Sequence, residues 1–132
     1  MQDVEVPVDR LVEFLDIFHR DVGILPVWLC PLRLRGSRTW PLYPLDTDRL
    51  YVNVGFWSTV ELKAGQPADH HNRLIEEVVN GLGGHKSLYS TVHYPEAEFW
   101  RRYNGSAYSE VKRQYDGDGR LPDLYAKCVG LR

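Results

Sequence analysis

The sequence predicts an α+β fold, in which a four-stranded antiparallel sheet carries two helices on one face and a helical tail follows. Three observations predict it. Stretches with apolar residues at every second position and at every third or fourth position follow in the order strand, helix, strand, strand, helix, strand. The 132 residues, 43% apolar and 26% charged, suit one globular domain. Residues 93–132 show helical patterns alone, so we expect a sheet domain over residues 1–92 and a tail over residues 93–132.

The first strand and helix occupy the start of the chain. Polar and apolar residues alternate from Gln2 to Val6, which is typical of a strand. Pro7 suits the first turn of a helix, where its missing N–H costs nothing. Gly23 ends this helix, whose apolar stripe comprises Val8, Leu11, Leu15, Phe18 and Val22.

Two further strands are predicted before the second helix. Residues 24–34 are apolar on both faces at first and suggest a central strand, although Pro26 and Pro31 remove ladder donors and imply bulges or an edge. Residues 35–48 have no period and predict a loop that packs its aromatic residues on a surface. Residues 50–57 alternate again, with the even-numbered residues expected to face the core.

The second helix and fourth strand complete the sheet domain. The helix carries Leu74, Ile75, Val78, Val79 and Leu82 and ends at the glycines of positions 81, 83 and 84. Residues 86–91 predict a short strand. This order of elements indicates the ferredoxin-like split βαβ arrangement.

Three short helices are predicted in the tail. Pro95 begins the first, Ser106 can cap the second, and Pro122 begins the last, with a turn at residues 116–119 between the second and third.

Composition excludes several classes of function. The net charge of −2 and the pI near 6.2 give no basic surface, so we expect no nucleic-acid partner. Cys30 and Cys128 are far apart in sequence and predict two reduced, buried thiols in a cytoplasmic protein, with a single disulfide between them as the alternative. No apolar stretch is long enough for a membrane span.

Three short motifs resemble ligand sites but do not meet their requirements. Adjacent helical residues point about 100° apart, so His70 and His71 do not share a metal ion, and we expect no metal. The glycines of residues 81–84 leave a helix, whereas a phosphate cradle leads into one. The turn at residues 116–119 lacks the acidic twelfth ligand of a calcium loop, since that position is Lys127.

The sheet face away from the two helices is the candidate functional surface. The strands place several aromatic and polar side chains there, and an exposed surface of this kind marks a ligand site or a partner. Packing beneath the C-terminal helices is the alternative. The residues concerned are Trp28 or Arg33, Tyr51, Asn53, Trp57 and Tyr89.

Seven short motifs resemble one family in order and approximate spacing. They are Gln-Asp-x-x-Val-Pro at residues 2–7, Pro-x-Trp-Leu-Cys-Pro at 26–31, Tyr-Val-x-x-Gly at 51–55, Leu-Tyr at 88–89, Glu-Phe-Trp at 98–100, Gly-Ser-x-Tyr at 105–108 and the segment from Pro122 to Cys128. The chain resembles the C-terminal part of the FAD-dependent delta(24)-sterol reductases, also called diminuto or seladin proteins.

The resemblance implies a two-part flavoprotein of the vanillyl-alcohol-oxidase type. An N-terminal domain would bind FAD, and a ferredoxin-like cap domain, here residues 1–92, would shape the substrate site over the flavin. The reductases take hydride from NADPH and saturate a side-chain double bond of a sterol. Met1 stands where the family's chains are in mid-sequence, so we expect the FAD-binding domain to be the missing partner, on which the tail of residues 93–132 could also pack.

Substrate- or flavin-facing residues follow only in part from this resemblance. Relatives of the oxidase type carry a lysine or histidine on the strand after the second cap helix, and this chain offers His85, Lys86, Tyr89 and His93 there. The other candidates are Trp28, Arg33 and Asn53, and no catalytic residue is assigned.

Two functional hypotheses remain. In the first, the chain is the cap portion of an FAD-dependent oxidoreductase, inactive alone, and its uncovered sheet face leads to a homodimer. In the second, it is a stand-alone ferredoxin-like module that binds a small ligand or a protein on its open sheet face.

Overall fold

The computed structural model describes residues 1–130. A short 3-10 turn at Val8–Arg10 follows the first strand, and all other elements are regular strands and α-helices. In chain order they are β1 (Gln2–Pro7), α1 (Leu11–Asp21), β2 (Trp28–Leu32), β3 (Tyr51–Phe56), α2 (His70–Gly81), β4 (His85–Lys86), α3 (Glu96–Arg102), α4 (Gly105–Tyr115) and α5 (Leu124–Cys128).

The four strands form one antiparallel sheet in the order β2-β3-β1-β4. Strands β1 and β2, which α1 connects, are separated by β3, and this is a split βαβ connection. The predicted α+β class is confirmed, and nothing in the connectivity departs from the ferredoxin-like arrangement.

The main core lies between the sheet and the pair α1 and α2. The alternation predicted for β1 and β3 sends every second side chain into it, except that Leu50 precedes β3 and is exposed. The ring of Phe18 in α1 lies 4.8 Å from that of Phe56 in β3. The buried members are Val4, Val6, Phe14, Phe18, Val52, Val54, Phe56, Ile75, Val79 and Leu82.

The prediction that β2 is central is wrong, because β2 is an edge strand of the sheet. The apolar residues of β2 suggested a central strand, whereas Pro31 indicated the edge, since a proline has no N–H to donate to a neighbouring strand. Cys30 is therefore exposed and not a packed thiol, while Cys128 in α5 is buried as predicted.

The fourth strand is shorter than predicted and ends at Lys86. The Tyr103 hydroxyl, just after α3, donates to the Lys86 carbonyl oxygen at 2.7 Å, and the Val92 amide donates to the Cys128 carbonyl oxygen at 3.0 Å. The chain after β4 is thereby bonded to the tail, and Tyr89 lies outside the sheet in a turn.

The tail helices begin at side-chain caps. The predicted cap Ser106 is wrong: Asn104 precedes α4 in a left-handed conformation (φ 52°), and its Oδ1 accepts from the Ala107 amide. Asp123 caps α5 in the same way. These helices build a second apolar cluster beside β4, with Val92, Tyr94, Phe99, Tyr103 and Cys128 at its centre.

No helix within residues 1–130 has the length and apolar character needed to cross a bilayer.

Gly84 allows α2 to approach β1, and a Gly84→Ala substitution tests this. A Cβ atom there would lie 2.4 Å from the Glu5 carbonyl oxygen and 2.9 Å from Val79 Cγ1. We expect the free energy of unfolding, measured by urea denaturation, to fall by about 2 kcal/mol or more. Gly81→Ala is the matched control, because no atom lies within 4 Å of its Cβ position, and it should be neutral or slightly stabilising. Equal stability of the two variants would contradict this account of the packing.

Candidate functional site

A buried polar cluster lies on the sheet face away from α1 and α2. It comprises Glu5, Tyr43, Asn53, His85 and Ser87 and is called the Glu5 cluster below. Glu5 of β1 lies directly opposite Asn53 of β3 and opposite His85 of β4. Because successive side chains of a strand point to opposite faces, these three lie on the side away from Val4 and Val54.

The Glu5 carboxylate is the acceptor at the centre of this cluster. It accepts from Asn53 Nδ2 at 2.8 Å, from Ser87 Oγ at 3.1 Å and from the Tyr43 hydroxyl. Burial and the neighbouring Glu5 charge raise the pKa of Tyr43 far above its usual range, so its hydroxyl keeps its proton. The Glu5 carboxylate is almost completely buried, and it thus receives three hydrogen bonds, one from β3, one from the residue after β4 and one from the β2–β3 loop.

The long loop between β2 and β3, residues 33–50, supplies Tyr43. The Tyr43 amide donates to the Trp40 carbonyl oxygen, and the Asp46 amide donates to the Tyr51 hydroxyl at 3.2 Å. The first bond lies within the loop, whereas the second and the Tyr43–Glu5 bond join the loop to the sheet. Tyr51 is therefore buried, and part of the face expected to be open is covered.

His85 is enclosed by two tyrosine rings. The Tyr43 ring lies at 4.5 Å on one side and the Tyr103 ring, from the end of α3, at 4.7 Å on another. Burial, together with the positive charge of Arg102, lowers the pKa of His85 to about 4, so the imidazole is neutral at neutral pH. Its Nε2 is buried and has no hydrogen-bond partner among the described residues.

Lys86 lies next to His85 in sequence but on the other side of the sheet. It pairs with Val4 and is fully buried, with Nζ 2.8 Å from Ser90 Oγ and 3.3 Å from the Ser87 carbonyl oxygen. Burial lowers the pKa of Lys86, while the nearby Glu76 carboxylate opposes that shift. Lys86 is therefore separate from the Glu5 cluster.

His93 joins the tail to the outer side of α2. Its Nδ1 lies 3.3 Å from an Asp69 carboxylate oxygen and its Nε2 lies 3.1 Å from Asn72 Nδ2. The His93 backbone amide donates to both carboxylate oxygens of buried Glu76 at 3.1 Å. Burial disfavours the charged form of each side chain. It therefore raises the pKa of Glu76 to about 7 and lowers the pKa of His93.

The three remaining candidates lie at the surface. Trp28 is exposed at the β2 edge, opposite Gly55 and on the face of the Glu5 cluster. Arg33 follows β2, with Nη2 3.5 Å from the Asp48 carbonyl oxygen. Tyr89 lines a cleft of about 610 Å³ between the turn after β4 and α5, with Ser90.

The seven sequence-predicted candidates therefore do not form one site. Asn53 and His85 meet in the Glu5 cluster, and Trp28 shares their face of the sheet. Sequence reasoning missed Glu5, Tyr43 and Ser87. The alternation of β1 could have indicated Glu5, because it places this residue on the sheet face away from Val4 and Val6. No local pattern indicated that Tyr43 reaches the sheet.

Within residues 1–130, no group of three histidine, cysteine or acidic side chains lies close enough together to hold a metal ion. The rings of His70 and His71 lie 5.1 Å apart and edge to face.

The chain is similar to the delta(24)-sterol reductases over almost its whole length. That of Rattus norvegicus is 31% identical over 134 residues, which cover 100% of this chain and 26% of the rat protein. A homolog from Caenorhabditis elegans is 30% identical over 127 residues, 96% of this chain and 24% of the worm protein. The Arabidopsis thaliana protein is 27% identical over 143 residues, 96% of this chain and 26% of its own length.

The predicted resemblance to the delta(24)-sterol reductases is confirmed, and by their names these relatives are enzymes. The chain spans about a quarter of the length of the curated relatives it matches. No protein-family model and no solved structure matches it.

A Glu5→Gln substitution tests the buried carboxylate. The amide keeps the shape of the side chain but places an N–H₂ group where Glu5 now accepts from three donors. We expect the free energy of unfolding to fall by about 2 kcal/mol, measured by urea denaturation. Glu61→Gln, at an exposed position, is the control and should change little. If both variants unfold at the same urea concentration, the carboxylate is not needed for the cluster.

A Glu76→Gln substitution tests the pKa of the buried glutamate. The pKa of Glu76 is about 7 in the folded protein, whereas the ordinary pKa of a glutamate is 4.5. Between these two pH values the folded state holds a proton that the unfolded state has lost. The free energy of unfolding therefore falls as pH rises through this window. The amide introduced by the substitution does not ionise, and its oxygen still accepts from the His93 amide, so the variant should match the native protein near pH 4.5.

Above pH 7 we expect Glu76→Gln to be more stable than the native protein by an amount of the order of 2 kcal/mol. Urea denaturation at a series of pH values measures the difference. Glu77→Gln, at the exposed neighbouring position, is the control and should change the free energy of unfolding little. A Glu76→Gln profile parallel to the native one would refute the shift.

Proposed function

We propose that this chain, a homologue of the delta(24)-sterol reductases along its whole length, is the substrate-domain portion of an FAD-dependent oxidoreductase. The reaction proposed for the whole protein is the reduction of a side-chain double bond in a sterol-like substrate, with NADPH as electron donor. The observation that carries the proposal is the similarity, which extends over 96–100% of the chain in relatives from animals and a plant.

The sheet supports this proposal through its uncovered face. Helices α1 and α2 pack on one face, and on the other the loop of residues 33–50 and the end of α3 cover the part near β4. The part near β2 is open and carries the exposed indoles of Trp28 and Trp57, beside half-buried Asn53 of the Glu5 cluster. An apolar surface with a few fixed polar groups suits a hydrocarbon-rich substrate.

The residues of this chain do not fit the diphosphate of FAD. Gly84 packs so closely against β1 that there is no space for a phosphate group between them. Glycines 81, 83 and 84 stand at the C-terminal end of α2, where carbonyl oxygens point outward and repel anions. Within residues 1–130 no glycine-rich turn leads from a strand into a helix.

We therefore propose that the remaining part of a longer protein binds FAD and is the partner of this chain. Flavins supply hydride transfer, whereas the surrounding protein positions the substrate. Without that partner the isolated chain should be inactive.

The second candidate function, a stand-alone binding module, rests on the same exposed indoles of Trp28 and Trp57 and on the cleft beside Tyr89. In that case the open surface would receive a small ligand or a protein without any flavin.

A chimera tests the proposed function. This chain would replace the matching quarter of the rat delta(24)-sterol reductase, and FAD content and NADPH-dependent reduction of a sterol with a side-chain double bond would be measured. We expect the chimera to retain FAD and to reduce the sterol, because the segment supplies the substrate side of the site. The rat protein without that quarter should be inactive.

Two results would count against the proposal. An FAD-loaded chimera that reduces no such sterol, beside an active rat enzyme, would remove the assigned function and favour the binding module. Tight binding of FAD by the isolated chain, seen as flavin absorbance retained on dialysis, would show that no second part is needed to hold the cofactor.

A further inference from the structure

The two edge strands of the sheet, β4 and β2, differ in how far other residues cover them. The β4 edge is covered by the tail, through the bond from the Tyr103 hydroxyl to the Lys86 carbonyl oxygen and the apolar cluster around Phe99. The β2 edge has no second strand neighbour among the described residues, and Trp28, Leu29, Cys30 and Pro31 are exposed. An open edge presents unpaired backbone groups and is a template for another strand.

The side chains at the β2 edge are apolar and exposed. Trp28 is 59% exposed, Leu29 46% and Leu25, which precedes the strand, 70%. Proteins usually protect such an edge with lysine or other charges, yet β2 has no charged residue. Pro31 is its single protective feature.

We propose that two copies of this chain associate through their β2 strands, antiparallel and centred on Cys30, to form a continuous eight-stranded sheet. The occupant is a second copy because the strand complements itself in this register. When two identical strands pair antiparallel, the numbers of directly opposite residues have a constant sum, and complete overlap of Trp28–Leu32 is reached when Cys30 faces Cys30.

This register avoids repulsion and has a small cost. Trp28 lies opposite Leu32 of the second copy, and Leu29 lies opposite Pro31. Arg33, the first charged residue beyond β2, lies opposite an uncharged residue, Val27. Pro31 has no N–H, so at most one ladder hydrogen bond per copy is lost.

The available area indicates a weak dimer. A fully buried tryptophan contributes roughly 150–250 Å², so the partly exposed Trp28 indole and the two leucines offer roughly 350 Å² per copy. About 700 Å² in total is below the usual size of a stable interface, so we expect a weak and reversible dimer. The pairing extends the sheet at its edge; it covers part of the Trp28 indole and leaves Trp57 and Asn53 on the face of the Glu5 cluster uncovered.

Sedimentation equilibrium over a range of concentrations tests the association. We expect a reversible equilibrium between a species of 15.3 kDa and one of twice that mass. A single species of 15.3 kDa up to millimolar concentration would overturn the proposal.

A charge at the two-fold axis tests the register. Cys30→Lys places two ammonium groups directly opposite each other, and we expect the Kd to rise at least tenfold. Leu121→Lys adds the same charge at an exposed apolar position of the tail and should leave the Kd unchanged. Both positions are exposed, so we expect both variants to fold, and circular dichroism checks this. Equal Kd values for the two variants would exclude the β2 edge as the interface.

Disulfide capture tests which residue lies on the axis. Facing residues of an antiparallel pair have Cα atoms about 4.5–5.5 Å apart, within the range of a disulfide. Glutathione disulfide would accept the two electrons as two Cys30 thiols lose their protons and form one S–S bond. We expect a covalent dimer with Cys128→Ser and none with Cys30→Ser, although Cys30→Ser should still dimerise reversibly.

Covalent dimers of Cys30→Ser but not of Cys128→Ser would overturn the register. Dissociation of the dimer on addition of the FAD-binding part of the rat relative would assign the edge to the longer protein instead of a second copy. These outcomes do not depend on the sterol-reducing activity of the chimera.

Discussion

The buried carboxylate of Glu5 is the interaction on which the polar half of the structure depends. It accepts hydrogen bonds from Tyr43, Asn53 and Ser87, which belong to the β2–β3 loop, to β3 and to the residue after β4. A buried carboxylate without donors would destabilise the fold by several kcal/mol, so the folded protein requires all three segments in their places around Glu5. The loop is therefore part of the folded domain and not a free connection.

The covering of the sheet is uneven, and this decides which surfaces are available. The loop and the end of α3 enclose His85 between two tyrosine rings, so the half of the face near β4 is closed. The half near β2 is open because the tail helices pack beside β4, at the opposite edge of the sheet. Substrate or partner contacts are consequently expected from Trp28 and its neighbours, more than from the enclosed imidazole.

Local patterns predicted most of the elements. The alternation in residues 2–6 and 50–57 identified β1 and β3, and the apolar stripe from Leu11 to Phe18 identified α1, because both periods are set by backbone geometry alone. The shortened β4 and the Asn104 cap of α4 escaped prediction. The first depends on a bond from Tyr103, 17 residues away, and the second on a left-handed conformation that no period encodes.

The sequence by itself determined the order of elements, the α+β class and the resemblance to the delta(24)-sterol reductases, because these depend on residue types at short and regular spacings. The tertiary structure alone decided that β2 is an edge, that Cys30 is exposed and that His85 and Lys86 serve opposite faces. It also decided the Glu5 cluster, whose bonds join residues 38, 48 and 82 positions apart. The physical reason is that such contacts depend on strand order and loop path, which the whole chain settles through burial of its two apolar clusters.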